Sequence, residues 1–574
     1  PNVTAVAVAD DLHLLGPMDE VVQCAIRLKD ELALVSLRPS WHKCGLVCLT
    51  DTVASRETIQ FLTDNSIGNP AENDRVERNI FPALGSFIAR HWPDASQKIL
   101  DISENKHRNF FDLISDPKFP PTIAERILRV CTVHQMNFLN RATDPRTLSR
   151  TSQMFDTKLN GAHDHISNEN PSTQTRTSKA YRTLPLRFGG NALPQSSVTS
   201  IIGRAAFISD NVDEFITHLR ANEPRTTPLL LDCAATLTAA NEITANSPEN
   251  PSTTLPPNEL NLLQQLLWLK ANPSEKAQKS ITTGRNQAIF EHLYEATDTQ
   301  QTPYLRALKT CNTAPYAHAF LSGSPSCTHS TLTTQEFHTA NAIRRGSIPI
   351  QIADLINDHC ICRSHTLYRN DPLHWLSCIY TKAHATRRHD AIKRIILKWV
   401  RNVGGSGIEE PEGTSSHSNA RPDLLFSLNG NAYTIDVQVV HPLAPSNISR
   451  ASYPQATCLA AEQIKTRYYT EFTRGSPQVS NCKFIPFIVE TTGGFGHLAQ
   501  HLVGIIANAA SPELNFYSPD EVRSNLVQEI AAQIQKGNHA MLIAGRTKHI
   551  SETLVAFRAS QTEANLRNNY NPEL

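Results

Sequence analysis

The chain has 574 residues, of which 40% are hydrophobic, 7% aromatic and 19% charged. At roughly 150 residues per domain this excludes a single small module, and the apolar content excludes wholesale disorder. Lys plus Arg and Asp plus Glu both total 54, so any affinity for nucleic acid has to come from local patches and not from bulk charge.

The longest apolar runs, such as Leu229 to Leu231, fall far short of the ~20 residues of a membrane span, and no basic stretch precedes an apolar one at the start. No membrane span and no secretory signal are expected. The twelve cysteines are scattered without a compact disulfide framework, which points to a reducing compartment.

Val3 to Val8 is apolar and β-branched, Asp10 and Asp11 interrupt the run, and Leu12 to Leu15 resumes it. This predicts two strands about an acidic turn, followed by a helix over Met18 to Leu34. Residues 1–50 then read as part of an α/β sheet that the chain enters midway, as a fragment would. Adjacent acids at a tight turn suit a two-metal phosphoryl-transfer site, although Asp-Asp before a strand is most often just a turn. From about 51 to 160 the pattern is mainly helical. Asp164 to Arg182 is a polar run that predicts a loop or linker. Helical segments recur from Val198 to about Gly346, broken by a second polar stretch from Ala245 to Pro257, and no internal repeat of 20–50 residues is present.

Cys360-Ile-Cys362, then eleven residues, His374, three residues and Cys378 supply four zinc-type ligands, with a tighter first spacer than the usual two to four. Asp371 as N-cap with Pro372 at the first helical position predicts a short helix that places His374 and Cys378 at i and i+4 on one face. The competing reading is two buried free cysteines beside an unrelated helix. The next helix, His384 to Asn402, puts Ile392, Ile395, Ile396 and Trp399 on one side and Arg387, Arg394, Lys398 and Arg401 on the other. Arg363 to Arg401 holds nine Lys/Arg against two Asp/Glu. With Arg388 included, this is the clearest basic patch in the chain and the candidate phosphate-backbone contact, a solvated face being the plain alternative.

Arg421 to Leu428, Asn429-Gly430, and Asn431 to Val440 are two alternating apolar runs joined by the dipeptide that most favours a type I′ turn. If Asn429 and Gly430 are the loop, Phe426 faces Tyr433 and Asp423 faces Asp436. Leu424, Phe426, Leu428, Tyr433, Ile435, Val437 and Val439 then share one face, while Asp423, Asp436 and Gln438 share the other. Opposed carboxylates destabilise a sheet unless something neutralises them, and a divalent cation with oxygen ligands is the usual partner. A helix over Ala456 to Phe472 places Glu462, Lys465 and Tyr469 on one stripe, with Lys465 in reach of the same pocket. Solvated hairpin aspartates and an exposed lysine are the alternative. Gly493 to Gly496 reads as a turn, with no phosphate-loop Lys-Ser/Thr after it.

Pro422-Asp423, the thirteen-residue step to Asp436-Val-Gln438, and Lys465 on the following helix resemble the PD-(D/E)xK restriction-like endonuclease domain. More narrowly, they resemble its version at the C-terminus of site-specific non-LTR retrotransposons, where the lysine sits on the helix. Gln438 stands where a lysine often does in the general pattern, which puts Lys465 forward as the catalytic lysine. The Cys-x-Cys, the His-x3-Cys and then Arg388-His389-Asp390, shortly before an Arg-Pro-Asp hairpin, resemble the zinc-knuckle segment of the same family. Ala7 to Gly16 resembles the Tyr-x-Asp-Asp motif of reverse transcriptases, with Val8 in place of the tyrosine. Leu34 to Cys44 resembles the following motif, with Lys43 as the cationic residue near the triphosphate.

The resemblance implies a multidomain α+β chain. Its units would be a truncated reverse-transcriptase palm (1–50), a thumb-like helical region (51–185), a helical connector (186–350), a zinc knuckle with basic helix (351–402), a restriction-endonuclease-like α/β domain (403–500) and a C-terminal helical segment (501–574). It implies Mg²⁺ at Asp423 and Asp436, and at Asp10 and Asp11 in the palm, with Lys465 stabilising the transition state. Zn²⁺ would be held by Cys360, Cys362, His374 and Cys378. The partners would be target DNA and the element's RNA, in the nucleus. The nuclease would nick the target and the polymerase would extend the exposed 3′ hydroxyl, but the earlier palm motif is not in this sequence, so polymerisation is not expected of it. The rivals are a catalytically dead nucleic-acid-binding remnant and a stand-alone nuclease unrelated to retroelements.

Overall fold

The computed structural model describes residues 2–569 apart from 9–10, 42–43, 49, 51, 69–74, 78–79, 84–85, 90–91, 170–175, 222–226, 245–254, 294–301, 324–327, 412–420, 474–480 and 512–516. Strands β1 (Thr4–Val8) and β2 (Asp11–Leu15) pair antiparallel with Val8 opposite Asp11, as the acidic turn predicts. Asp10 and Lys43 lie outside the described residues, as does the side chain of Asp11. The expected α/β sheet over residues 1–50 is a correction. The β1–β2 hairpin stands as a two-stranded sheet, and β3 (Leu46–Val47) pairs separately with β4 (Val76–Glu77). Leu12 and Leu15, on opposite faces of β2, both remain exposed, and among the described residues no third strand joins the hairpin. A third two-stranded piece, β5 (Ile80–Ala83) with β6 (Ser86–Ala89), was not expected.

The middle of the chain is helical: α1 (Met18–Leu34), α2 (Arg56–Asp64), α3 (Trp92–Ile114), α4 (Pro121–Ile127), α5 (Asn137–Ala142), α6 (Pro145–Ser167), α7 (Arg176–Thr183) and α8 (Ser196–Asp210). They continue with α9 (Val212–Ala221), α10 (Thr227–Thr244), α11 (Leu262–Ala271), α12 (Ala277–Glu291), α13 (Thr302–Asn312) and α14 (Thr334–Arg345). Local chemistry sets many of these ends. Thr333 and Glu336 form a capping box at the start of α14, and Gly346 ends it in the left-handed conformation.

The linker expected over Asp164 to Arg182 is a second correction. Asp164 closes α6, Arg182 lies on α7, and Arg182 donates to Asp164 Oδ1 at 2.5 Å. Glu169 pairs with Arg182 and with Arg345 of α14, while His163 lies 2.9 Å from Glu125 Oε2. Asp164, Glu169 and Arg182 pair with one another, so the described ends of a run with little to bury by hydrophobicity are held by pairing, while residues 170–175 lie outside the described residues. The second polar stretch lies largely outside the described residues.

The strand-rich segment forms one four-stranded sheet of order β10-β9-β8-β7. Strands β7 (Ser406–Glu409), β8 (Leu424–Leu428) and β9 (Asn431–Val440) run antiparallel in turn, and β10 (Lys483–Glu490) lies parallel to β9. Helix α16 (Ala456–Thr473) is the crossover that this parallel pair requires. Asn429 and Gly430 both take positive φ, 48° and 73°, as a type I′ turn demands.

Alternation along the strands divides the two faces. Leu424, Phe426, Tyr433, Ile435, Val437, Ile485 and Phe487 pack against α15 (Lys382–Asn402), α17 (His497–Asn508) and α18 (Pro519–Asn569). Ile488 and Val440 pack instead against Cys458 and Ala461 of α16. The first of these cores runs on without a break through Phe337, Phe155 and Phe111, so apolar packing joins the regions expected as thumb, connector and nuclease. Helix α18 crosses the zinc-type segment and α15 at two glycines. A Cβ on Gly545 would stand 2.4 Å from the Trp375 ring, and one on Gly537 would stand 2.5 Å from the Arg388 side chain.

Candidate active site and metal centre

The hairpin register is the one its turn predicts: Leu424 opposes Ile435 and Phe426 opposes Tyr433, which extends to Asp423 beside Asp436. Neither carboxylate belongs to the apolar cluster: Asp436 meets α16 through Lys465, and Asp423 meets α15 through His389. Lys465 Nζ donates to Asp436 Oδ2 at 2.7 Å. Asp423 Oδ2 accepts from the Val437 amide at 2.7 Å and lies 3.0 Å from His389 Nε2 on α15. The environments push the pair apart. Burial raises the Asp423 carboxyl, but His389 and the Val437 amide outweigh it and hold it below the ordinary range. Burial raises Asp436, Lys465 opposes that, and the Asp423 charge adds to it, leaving Asp436 above the ordinary range. Two carboxyls with one such split are the pattern of an acid–base or metal-binding pair.

Of the expected stripe, Tyr469 and Lys465 face the pair and Glu462 does not. The Tyr469 hydroxyl donates to the Arg421 carbonyl at 3.2 Å, and burial, then the charges of Asp436 and Asp423, push its pKa up. Glu462 is buried and accepts from the Leu498 amide at the start of α17 at 2.9 Å. It caps a helix from a distance, so its position on the stripe carries no site role.

Three site residues were not foreseen: His389 as a partner of Asp423, Lys393, and Glu410. Lys393, buried on α15, donates to Glu410 Oε1 at 2.8 Å and lies 3.4 Å from Asp390. Glu410 also accepts from Arg421 at 2.5 Å, and its amide donates to the Asp423 carbonyl at 2.8 Å. A signal was present, because His389 and Lys393 stand at i and i+4 on the stripe of Ile392 and Ile396, where an unpartnered lysine is costly.

Cys360, Cys362, His374 and Cys378 offer ligand atoms within 4.8 Å of one another, and all four are buried. Cys360 Sγ lies 3.8 Å from Cys378 Sγ, and Cys362 Sγ lies 3.2 Å from His374 Nε2. Sulfurs bound tetrahedrally at about 2.3 Å from zinc stand about 3.8 Å apart, so the cluster can bind zinc. Hydrogen bonding from Cys378, against burial and with His374 adding, pulls the Cys360 thiol down to about 3. The buried Asp371 carboxylate lies 3.7 Å from His374 Nδ1, close enough for a charge interaction and too far for a hydrogen bond. The expected helix is a correction: His374–Leu376 is a single 3₁₀ turn, and Cys378 is extended. Leu373, His374, Trp375 and Leu376 are all buried, which one face of an amphipathic helix cannot achieve.

The basic helix divides. Arg387, Arg394 and Arg401 are exposed at seven-residue intervals along one stripe. Arg388 is 3% exposed and donates to Asn538 Oδ1 of α18 at 2.5 Å, which removes it from any phosphate contact. Lys398 is half-buried and pairs with Glu529 at 2.8 Å.

Among the described residues no helix is long and apolar enough to cross a membrane. No protein-family model matches the sequence, and no curated protein matches it.

Proposed function

We propose that this chain is a metal-dependent DNA-nicking endonuclease of the PD-(D/E)xK kind, borne by a non-LTR retrotransposon reverse-transcriptase polyprotein. The observation that carries the reading is Lys465 Nζ, from the crossover helix, at 2.7 Å from the inner carboxylate of a register-matched aspartate pair. Asp423 and Asp436 offer the hard oxygen donors that Mg²⁺ takes, and their mutual repulsion favours a cation between them. Bound there, Mg²⁺ would polarise the phosphate and acidify the attacking water.

The remaining work falls to side chains. Lys465 offers positive charge to the phosphorane as it forms. His389 and the Val437 amide fix the Asp423 carboxylate, and Lys393 and Glu410 brace α15 against the hairpin. The exposed Arg387, Arg394 and Arg401 would hold the DNA backbone. The buried Cys3His cluster pins the segment entering α15 and so acts as a structural zinc site more than as a solvent-facing knuckle. The partners are target DNA and element RNA, in the nucleus. The polymerase part of the reading rests on the β1–β2 hairpin alone.

The test is relaxation of supercoiled plasmid by the full chain with Mg²⁺ or Mn²⁺. Open circles from the wild type and none from Asp436→Ala support the reading. Binding without nicking, on zinc-loaded protein, supports a binding remnant instead.

A further inference from the structure

From His441 to Tyr469 the sequence holds one acid, Glu462, against Arg450, Lys465 and Arg467. Glu462 is buried at the start of α17. Arg467 is exposed on α16, two residues after the Lys465 that meets Asp436. The helix also presents apolar and aromatic side chains: Tyr468 is 41% exposed and Ile464 63%. Tyr468 follows Lys465 by one turn, and its ring centroid lies 5.5 Å from that of Tyr469 at an interplanar angle of 78°. Tyr469 is fixed in turn, stacked on Phe484 at 4.1 Å and hydrogen-bonded to the Arg421 carbonyl two residues before Asp423. An exposed ring is therefore held edge-on against a buried one that touches the site, which limits the entropy it loses when a planar group lands on it.

We propose that Tyr468 is a stacking platform for an unpaired nucleobase of the DNA strand whose phosphate lies at Asp423 and Asp436, flanked by Ile464 and Arg467. Every base has a π-face, so such a platform is tolerant of sequence, while the arginines follow the backbone. Bases inside a duplex are already stacked, and the surface therefore selects single-stranded or locally opened DNA. The inference rests on the nuclease reading only for where the phosphate sits.

The experiment uses the full chain in Ca²⁺ and a short oligodeoxythymidylate carrying one central 2-aminopurine, beside a blunt duplex of the same length. Wild type and Tyr468→Phe are expected to quench the probe. Tyr468→Leu is expected to bind the single strand about 10-fold more weakly, within the stacking range of roughly 1–3 kcal/mol per base, with the duplex little changed. Equal binding by Tyr468→Leu, or a loss in Tyr468→Phe as large as in Tyr468→Leu, overturns the platform. A chain that quenches the probe and never nicks plasmid keeps this inference and loses the nuclease. A chain that nicks, with Tyr468→Leu binding like wild type, loses this inference alone.

Discussion

Lys465, on the β9–β10 crossover helix α16, places its ammonium 2.7 Å from Asp436 Oδ2, while Asp423 is held by His389 of α15. The two carboxylates are thus neighbours by register and differ by environment. The proposed cation site and its charge-stabilising lysine would draw on three separate segments of the chain, the β8–β9 hairpin, α15 and α16.

Magnesium is expected to stabilise the folded protein through this pair. Ligand at about 100 times its Kd contributes roughly 2.7 kcal/mol, so the wild-type Tm should rise with Mg²⁺ concentration. The same titration should leave the Tm of Asp436→Asn unmoved, whatever that variant's starting Tm. Equal shifts in both proteins would place the Mg²⁺ elsewhere.

Purified protein should contain one zinc per chain by elemental analysis, reduced in Cys362→Ser. Removing the metal leaves three thiols and an imidazole in a core that includes Trp375, Tyr368, Met541 and Leu542. Hydrogen exchange should then accelerate in residues 358–381 and in α18 around Gly537 and Gly545. Unchanged exchange in zinc-free protein would contradict the structural role given to the cluster.

Arg182 is nearly buried and faces Asp164 and Glu169. Arg182→Met leaves two buried carboxylates short of a partner, and breaking such a pair costs about 3–5 kcal/mol. Urea unfolding should show a loss of that size. A loss below about 1 kcal/mol would mean that water reaches the network.

Burial pushes His107 and His318 down to about 4, against an ordinary value of 6.5. Between those two values the unfolded chain binds more protons than the folded one, so stability rises with pH across this window and is lost as pH falls through it. The limit is about 1.4 kcal/mol per pH unit for each histidine. Glu490, raised to about 7 by burial, acts in the opposite sense between 4.5 and 7, so the histidine contribution is read as a difference. The stability–pH slope of His107→Gln should be flatter than that of the wild type, and an identical slope would contradict the assignment.

Much of this site was legible because parity does the work. A two-residue Asn-Gly loop fixes the hairpin register, and the register fixes which side chains share a face. The Cys3His cluster was legible from residue type and spacing, while the path between its members was not, because burying Leu373 to Leu376 in succession is a tertiary demand. Arg388 looked like part of a basic stripe. Its burial depends on Gly537 and Asn538, about 150 residues further on. The polar run at Asp164 to Arg182 misled for the same reason, since Glu169 finds a partner in Arg345, far along the chain on α14.

The most direct test of the account is single-turnover nicking of supercoiled plasmid by wild type and Lys465→Met, with the Kd for the same DNA measured in Ca²⁺. Metal-dependent nicking that falls by about 10²-fold or more in Lys465→Met, with Kd little changed, is the predicted result, because a charge-stabilising group acts on the transition state. Nicking by Lys465→Met at the wild-type rate, or none by folded, zinc-loaded wild-type protein, would contradict it.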